Sequence, residues 1–153
     1  MKEFAITQHI PVSKHVYKYL VATVGSENYE VNRWDSLGAI ILSLLGKTPG
    51  DLRLSKKDHE KVFNIKISSH HYLASGMFID IKSGQLFNRL IDNLFRENMY
   101  TYVVLVKKYH SEKYTEGIKE YCKAFNINED DIKLETLFKD FGRKKDKYLS
   151  QIQ

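Results

Sequence analysis

Residues 84–98 read GQLFNRLIDNLFREN, and within them Leu86, Phe87, Leu90, Ile91, Leu94 and Phe95 recur at steps of three or four without a break. That spacing gathers the large apolar side chains on one stripe of a helix, which must then be buried against something. Ser83, just upstream, is an N-cap residue type. The next stretch, MYTYVVLVKKYH at 99–110, is rich in strand formers, yet Met99, Tyr102, Val103 and Val106 keep the helical step. Reading it as a continuation of the helix makes the chain from residue 83 onward a helical region and sets it apart from what precedes it.

Upstream the period changes. EFAITQHIPV places Phe4, Ile6, Gln8 and Ile10 on one side, the period-2 pattern of a half-buried strand that Pro11 should end. Ser13 then caps KHVYKYLVATV, with Val16, Tyr19, Leu20 and Val24 on its stripe and Gly25 at the left-handed C-terminal position. NYEVN can form a brief strand. RWDSLGAIILSLLG aligns Leu37, Ile40, Ile41, Leu44 and Leu45 before Gly46 closes that helix, and KVFNIKIS sets Phe63, Ile65 and Ile67 on one face of a third strand. The loop-like segment KTPGDLRLSKKDHE separates the last two, and SSHHYLASGMFIDI reads as a turn with at most one short strand. The sequence therefore predicts an α+β protein. A small β-α-β-α-β unit over residues 1–82 precedes a helical region over 83–153, the two forming one compact body.

Downstream, Thr115 should cap a helix carrying Ile118, Tyr121, Cys122 and Phe125, followed by the polar connection NINEDD. A second helix from Asn128 then has Leu134, Leu137, Phe138 and Phe141 as its apolar stripe. Acidic residues crowd its first turn and basic ones its last, the arrangement that the helix dipole favours. The two helices have the outline of a helix-turn-helix corner. Gly142 leaves two readings of the end, a continuous helix or a left-handed cap followed by a basic tail.

A chain of 153 residues with 42% hydrophobic and 12% aromatic content has ample material for a packed interior. One cysteine, Cys122, excludes an intramolecular disulfide, and no apolar leader core follows MKEFAITQHIPVSK, which points to an intracellular, cytoplasmic setting. The longest apolar run, LGAIILSLLG, is about half the ~20 residues that a membrane span needs. Net charge is +5, spread as excesses of +1, +2 and +2 over residues 1–60, 61–100 and 101–153. Only RKKDK at 143–147 is locally dense.

No catalytic or cofactor motif stands out. Gly46, Lys47 and Thr48 resemble the end of a phosphate-binding loop, but the loop's first glycine would fall on Ile41, a helix precedes instead of a strand, and Pro49 follows. His70 and His71 are adjacent, so they diverge by ~100° on a helix and oppose each other on a strand, which does not suit one metal. Cys122 lies on an apolar stripe, where burial works against a nucleophile. Asp80, Asp92 and Glu97 would need folding to bring them together as an acidic nuclease cluster.

The strongest functional content lies in the last helix, where Lys133, Lys139, Arg143, Lys144 and Lys147 stand off the apolar stripe and Lys145 completes the basic set expected to contact nucleic acid. Lys139, Arg143 and Lys147 are spaced at i+4 and form a ridge that can follow a phosphate backbone, although Asp140 and Asp146 interrupt it. Tyr100, Tyr102, Tyr109, Tyr114, Tyr121 and Tyr148 lie in the same basic C-terminal third and offer rings on which bases can stack, although Tyr102 and Tyr121 fall on apolar stripes. The stretches FNRLIDNLFRENMYTYV and GIKEYCKAFNINEDDIKLETLFKDFGRKK resemble, through their apolar spacing over residues 83–147, small proteins of phages and mobile elements, a group without an assigned activity. That resemblance carries over no catalytic residue. It implies a setting in which small basic proteins serve replication, transcription control or packaging. The reading that follows is a non-enzymatic DNA-binding protein, dimeric, with no metal or cofactor. The alternatives are an adaptor joined to an assembly through an apolar helix face and a metal-dependent nuclease.

Overall fold

The computed structural model describes residues 4–50, 60–110 and 113–152. Strands β1 (Ala5–Val12), β2 (Asn28–Glu30) and β3 (Lys61–Ser68) form one sheet in the order β1-β3-β2. Helices α1 (Lys14–Val24), α2 (Ser36–Leu44) and α3 (Ser69–Ser75) alternate with them, and α4 (Ile81–His110), α5 (Tyr114–Ala124) and α6 (Leu134–Gln151) complete the chain. This is the expected α+β architecture. The chain divides into two units, Met1–Leu90 and Ile91–Gln153, with the boundary inside α4; the sequence expectation placed it at residue 82.

In the first unit β3 is central because its alternation is cleanest: Phe63, Ile65 and Ile67 are fully buried while Val62 and Lys66 face out. β1 pairs with it antiparallel, from Ala5 opposite Ser68 to Val12 opposite Lys61, and β2 pairs with it parallel, Tyr29 opposite Ile65. Ile10 and Val12 join the buried face, so the strand runs through Pro11 instead of ending there. β1 is an edge strand, and an edge tolerates a residue with no N–H to donate. α1 lies on β3 through buried Val16, Tyr19 and Leu20, and Gly25 ends it at φ 77°, as expected. Ser13 occupies the N-cap position, but its backbone N–H (2.9 Å) and its hydroxyl (3.2 Å) both donate to Asn88 Oδ1 instead of the hydroxyl capping the helix.

Several boundaries differ from the sequence reading for local reasons. α2 is capped by Asp35, whose Oδ1 accepts from Gly38 N–H (2.6 Å) and from Tyr29 Oη (2.6 Å). Its C-cap is Leu45, not Gly46. Gly46 instead forms an isolated bridge with Phe78, its N–H donating to the Phe78 carbonyl (2.8 Å). The segment SHHYLAS is helix α3, not a turn; Gly76 follows at φ 95°, packed so closely against Gly46 that a Cβ would stand 2.2 Å from its carbonyl oxygen. α4 is capped by Asp80, whose Oδ1 accepts from Ser83 N–H (2.8 Å), so Ser83 is the receiver of the cap and not its source. Most of the expected linker, residues 51–59, lies outside the described residues.

In the second unit α4 continues unbroken through MYTYVV and buries Ile91, Phe95, Met99, Tyr100, Val103 and Val104. Gly117 brings α5 close: a Cβ there would sit 3.2 Å from Val103 Cγ2. Lys113, not Thr115, holds the N-cap position of α5. The helix leaves through Asn126 at φ 55°, a left-handed conformation that asparagine tolerates.

Candidate nucleic-acid interface

α5 and α6 pack on each other, and the connection between them covers Phe125–Lys133. It is longer than the three or four residues of a compact helix-turn-helix turn. The acidic residues Glu129, Asp130 and Asp131, which the sequence assigned to the first turn of α6, sit in this connection: Asn128 Oδ1 accepts from Asp130 N–H (2.9 Å), Asp131 Oδ2 accepts from Asn128 N–H (2.9 Å), and Glu129 Oε1 accepts from Leu134 N–H (3.2 Å). These local bonds compete with helix formation, so α6 starts at Leu134 and not at Asn128. At its other end α6 runs on to Gln151, which makes Gly142 an interior residue and places the basic cluster in mid-helix.

The stripe that seats α6 is Leu137, Phe141 and Tyr148, all buried, with Leu134 and Phe138 half-buried. Phe141 meets Tyr100 (ring centroids 5.3 Å) and Tyr114 (5.2 Å), and Tyr148 meets Tyr100 edge-on (5.6 Å). Beside this aromatic cluster lies a polar network. Tyr100 Oη donates to Asp140 Oδ2 (2.6 Å), as do Arg96 Nη1 (3.2 Å) and Lys144 Nζ (3.1 Å), while Arg96 Nε donates to Asp92 Oδ2 (3.0 Å). Burial alone would push the Asp140 carboxyl up, but the hydrogen bonds from Tyr100, Lys144 and Arg96 outweigh it and hold its pKa below the usual carboxylate range. Burial and the bond to Asp140 raise Tyr100 well above an ordinary phenol, so it stays a donor.

This network decides which cations remain available. Lys144 is committed to Asp140. Lys145 is half-buried, its ammonium 4.8 Å from the Tyr114 ring centroid. Lys139 reaches Glu135 (2.6 Å), but both side chains are largely exposed and such a pair is worth about 0–1 kcal/mol, so it exchanges readily. Arg143 and Lys147 are exposed, and among the described residues neither is paired with a carboxylate, although Lys147 lies 5.6 Å from the Tyr148 ring. Lys133 is exposed at the start of α6, about 21 Å along the axis from Lys147. Of the six expected contacts, three therefore form the ridge Lys139, Arg143 and Lys147, about 12 Å long. One stands apart, and two are turned to internal tasks.

The acidic trio does not gather as a cluster. Asp80 caps α4, Asp92 pairs with Arg96, and Glu97 is exposed. No group of three or more His, Cys, Asp or Glu is placed to hold a metal ion among the described residues. Nor is any helix among them long and apolar enough to cross a membrane. Cys122 is buried, and burial pushes its thiol up to about 11. The Asp140 network escaped sequence reasoning because Tyr100 and Arg96 lie 40 and 44 residues from Asp140 and only packing brings them to it. Compared with family models, curated proteins and solved structures, the chain matches none.

Proposed function

We propose that the protein is a non-enzymatic DNA-binding protein that grips the phosphate backbone with the exposed ridge of α6. The observation that supports this is that Arg143 and Lys147 stand exposed one turn apart on a rigid, well-seated helix, with no carboxylate partner among the described residues. The charge on α6 is polarised. Carboxylates Glu129, Asp130, Asp131 and Glu135 surround its beginning, whereas recognition helices insert their N-terminal residues into the major groove. Repulsion between those carboxylates and phosphates favours contact through the C-terminal half, and phosphate contact positions a protein without reading sequence. The reading is therefore sequence-tolerant binding. A second copy of the chain would double a modest number of contacts.

Fluorescence anisotropy with a labelled duplex tests it. Arg143→Glu with Lys147→Glu should remove binding at low salt while leaving the circular dichroism unchanged, since neither side chain supports the fold. Undiminished affinity in that variant would eliminate the surface. Lys144 is left out of the variant because reversing it would break the Asp140 network and confuse folding with binding.

A second reading rests on a different observation. Tyr102, Leu105 and Tyr109 are exposed at i, i+3 and i+7 along α4, an apolar strip of the kind that joins a helix to a partner. Sedimentation at several concentrations, with and without DNA, separates the two: association independent of DNA supports the adaptor, and DNA-dependent mass supports the α6 ridge. Incubation of DNA with the protein and divalent cations checks for nuclease activity.

A further inference from the structure

Trp34 is the protein's one tryptophan, and 81% of its surface is accessible. Large aromatic side chains are normally kept in the interior, and this one stands outside on a hydrogen-bonded loop. Asn32 Oδ1 accepts from Trp34 N–H (3.0 Å), Asp35 N–H donates to the Asn32 carbonyl (3.4 Å), and the Asn32 backbone lies so close to α2 that a Cβ on Gly38 would overlap it. Tyr29 Oη, bonded to Asp35, clamps the other side of the turn. The Arg33 guanidinium stacks 4.5 Å from the indole centroid. Opposite, α3 carries His70 and His71, their rings 5.5 Å apart. These side chains, with Glu30 and Ser68, line an open cleft of about 550 Å³, within the size range of small-ligand sites.

We propose that this cleft binds a nucleotide, with the base stacked on Trp34 and the phosphate held by Arg33 and the two imidazoles. Three features point to that chemistry together. An exposed indole offers a stacking face that any base can use, and its second face is already backed by a cation. Arg33 presents planar donors matched to phosphate oxygens. The two histidines add ring N–H donors, and Glu30 supplies an acceptor for an exocyclic amine or a sugar hydroxyl. The hydrogen bonds within the loop limit the freedom lost on binding. The ligand is either a free mononucleotide or one nucleotide unit of a single strand. The site belongs to the first unit and does not depend on the α6 ridge.

Because the sole tryptophan is in the site, its emission reports occupancy. The full-length protein is titrated with adenosine 5′-monophosphate, adenosine, or single-stranded dA8, exciting at a wavelength where adenine does not absorb. Saturable quenching by the monophosphate, with adenosine binding at least about fivefold more weakly, is expected. A larger effect with dA8 than with the monophosphate assigns the site to single strands, and an equal effect assigns it to free nucleotide; either supports the cleft. Trp34→Ala, followed by equilibrium dialysis of the monophosphate, should weaken binding at least about fivefold, and Arg33→Ala should weaken the monophosphate but not adenosine. The Arg143→Glu, Lys147→Glu variant should keep the quench. No saturable quenching by any of the three ligands, dialysis binding unchanged in Trp34→Ala, or loss of the quench in the α6 variant would each overturn the assignment.

Discussion

Replacing Asp140 with alanine is the sharpest probe of how α6 is held. Asp140 Oδ2 accepts three bonds, and its removal has unequal consequences for the donors. The Tyr100 hydroxyl belongs to a fully buried residue and would lose its partner at a cost of about 1–3 kcal/mol. Arg96 is partly buried and keeps Asp92, so about 1 kcal/mol is a fair figure for its lost bond. Lys144 is about half exposed and contributes about 0–1 kcal/mol. Together these give about 3 kcal/mol, or a fall of roughly 6–12 °C in Tm for a chain of this size. Asp140→Asn keeps an acceptor and should lose about half as much.

The pH dependence has a definite sign. Asp140 titrates lower in the folded protein than in the unfolded chain, so its contribution is present above its unfolded pKa, near 4, and is lost as pH falls through the folded value. Urea unfolding followed by circular dichroism should show the full gap between wild type and Asp140→Ala at pH 7 and a narrowing gap below about pH 4. In a double-mutant cycle, Tyr100→Phe should couple to Asp140→Ala by about 1 kcal/mol or more. A gap under about 0.5 kcal/mol at pH 7, or no coupling, would refute the network's role.

Other outcomes follow from the same structure. Gly142 is interior to α6, and a Cβ there meets nothing within 4 Å, so Gly142→Ala should stabilise by about 0.5–1 kcal/mol; a lowered Tm in a thermal melt would mean that the helix ends there. Gly38→Ala should be costly, about 3 kcal/mol, because the new Cβ would lie 1.7 Å from the Asn32 carbonyl oxygen; equal stability in urea would contradict that packing. The buried Cys122 thiol should resist a disulfide-exchange reagent at pH 8 in the native protein and react fully once unfolded, and native reaction at the unfolded rate would contradict its burial.

Much of the fold was legible because it rests on periodicity. The α4 stripe, the alternation of β1 and β3 and the Gly25 terminus follow from the spacing of side chains along a single element. What sequence missed involves choices between neighbours or across space. Asp80 and Ser83 are both capping types three residues apart, and only geometry shows that the aspartate accepts while the serine N–H donates. The residues of α3 carry no clear stripe, and none of them is buried, so periodicity had nothing to find. The α6 cations were identifiable as a cluster, but their division into free and committed side chains was not. Asp140 and Tyr114 select Lys144 and Lys145 from a run of four, and no pattern within the run foreshadows that selection.

The salt dependence of duplex binding tests the central claim most directly. Each phosphate neutralised by a cation steepens the fall of log K with log salt by about 0.9, so wild type should show a linear dependence whose slope drops in magnitude by about 2 when Arg143 and Lys147 are both replaced by alanine, which removes the two contacts without reversing their charge. A slope that is the same in the two proteins would show that DNA is held elsewhere and would contradict the assignment of the α6 ridge.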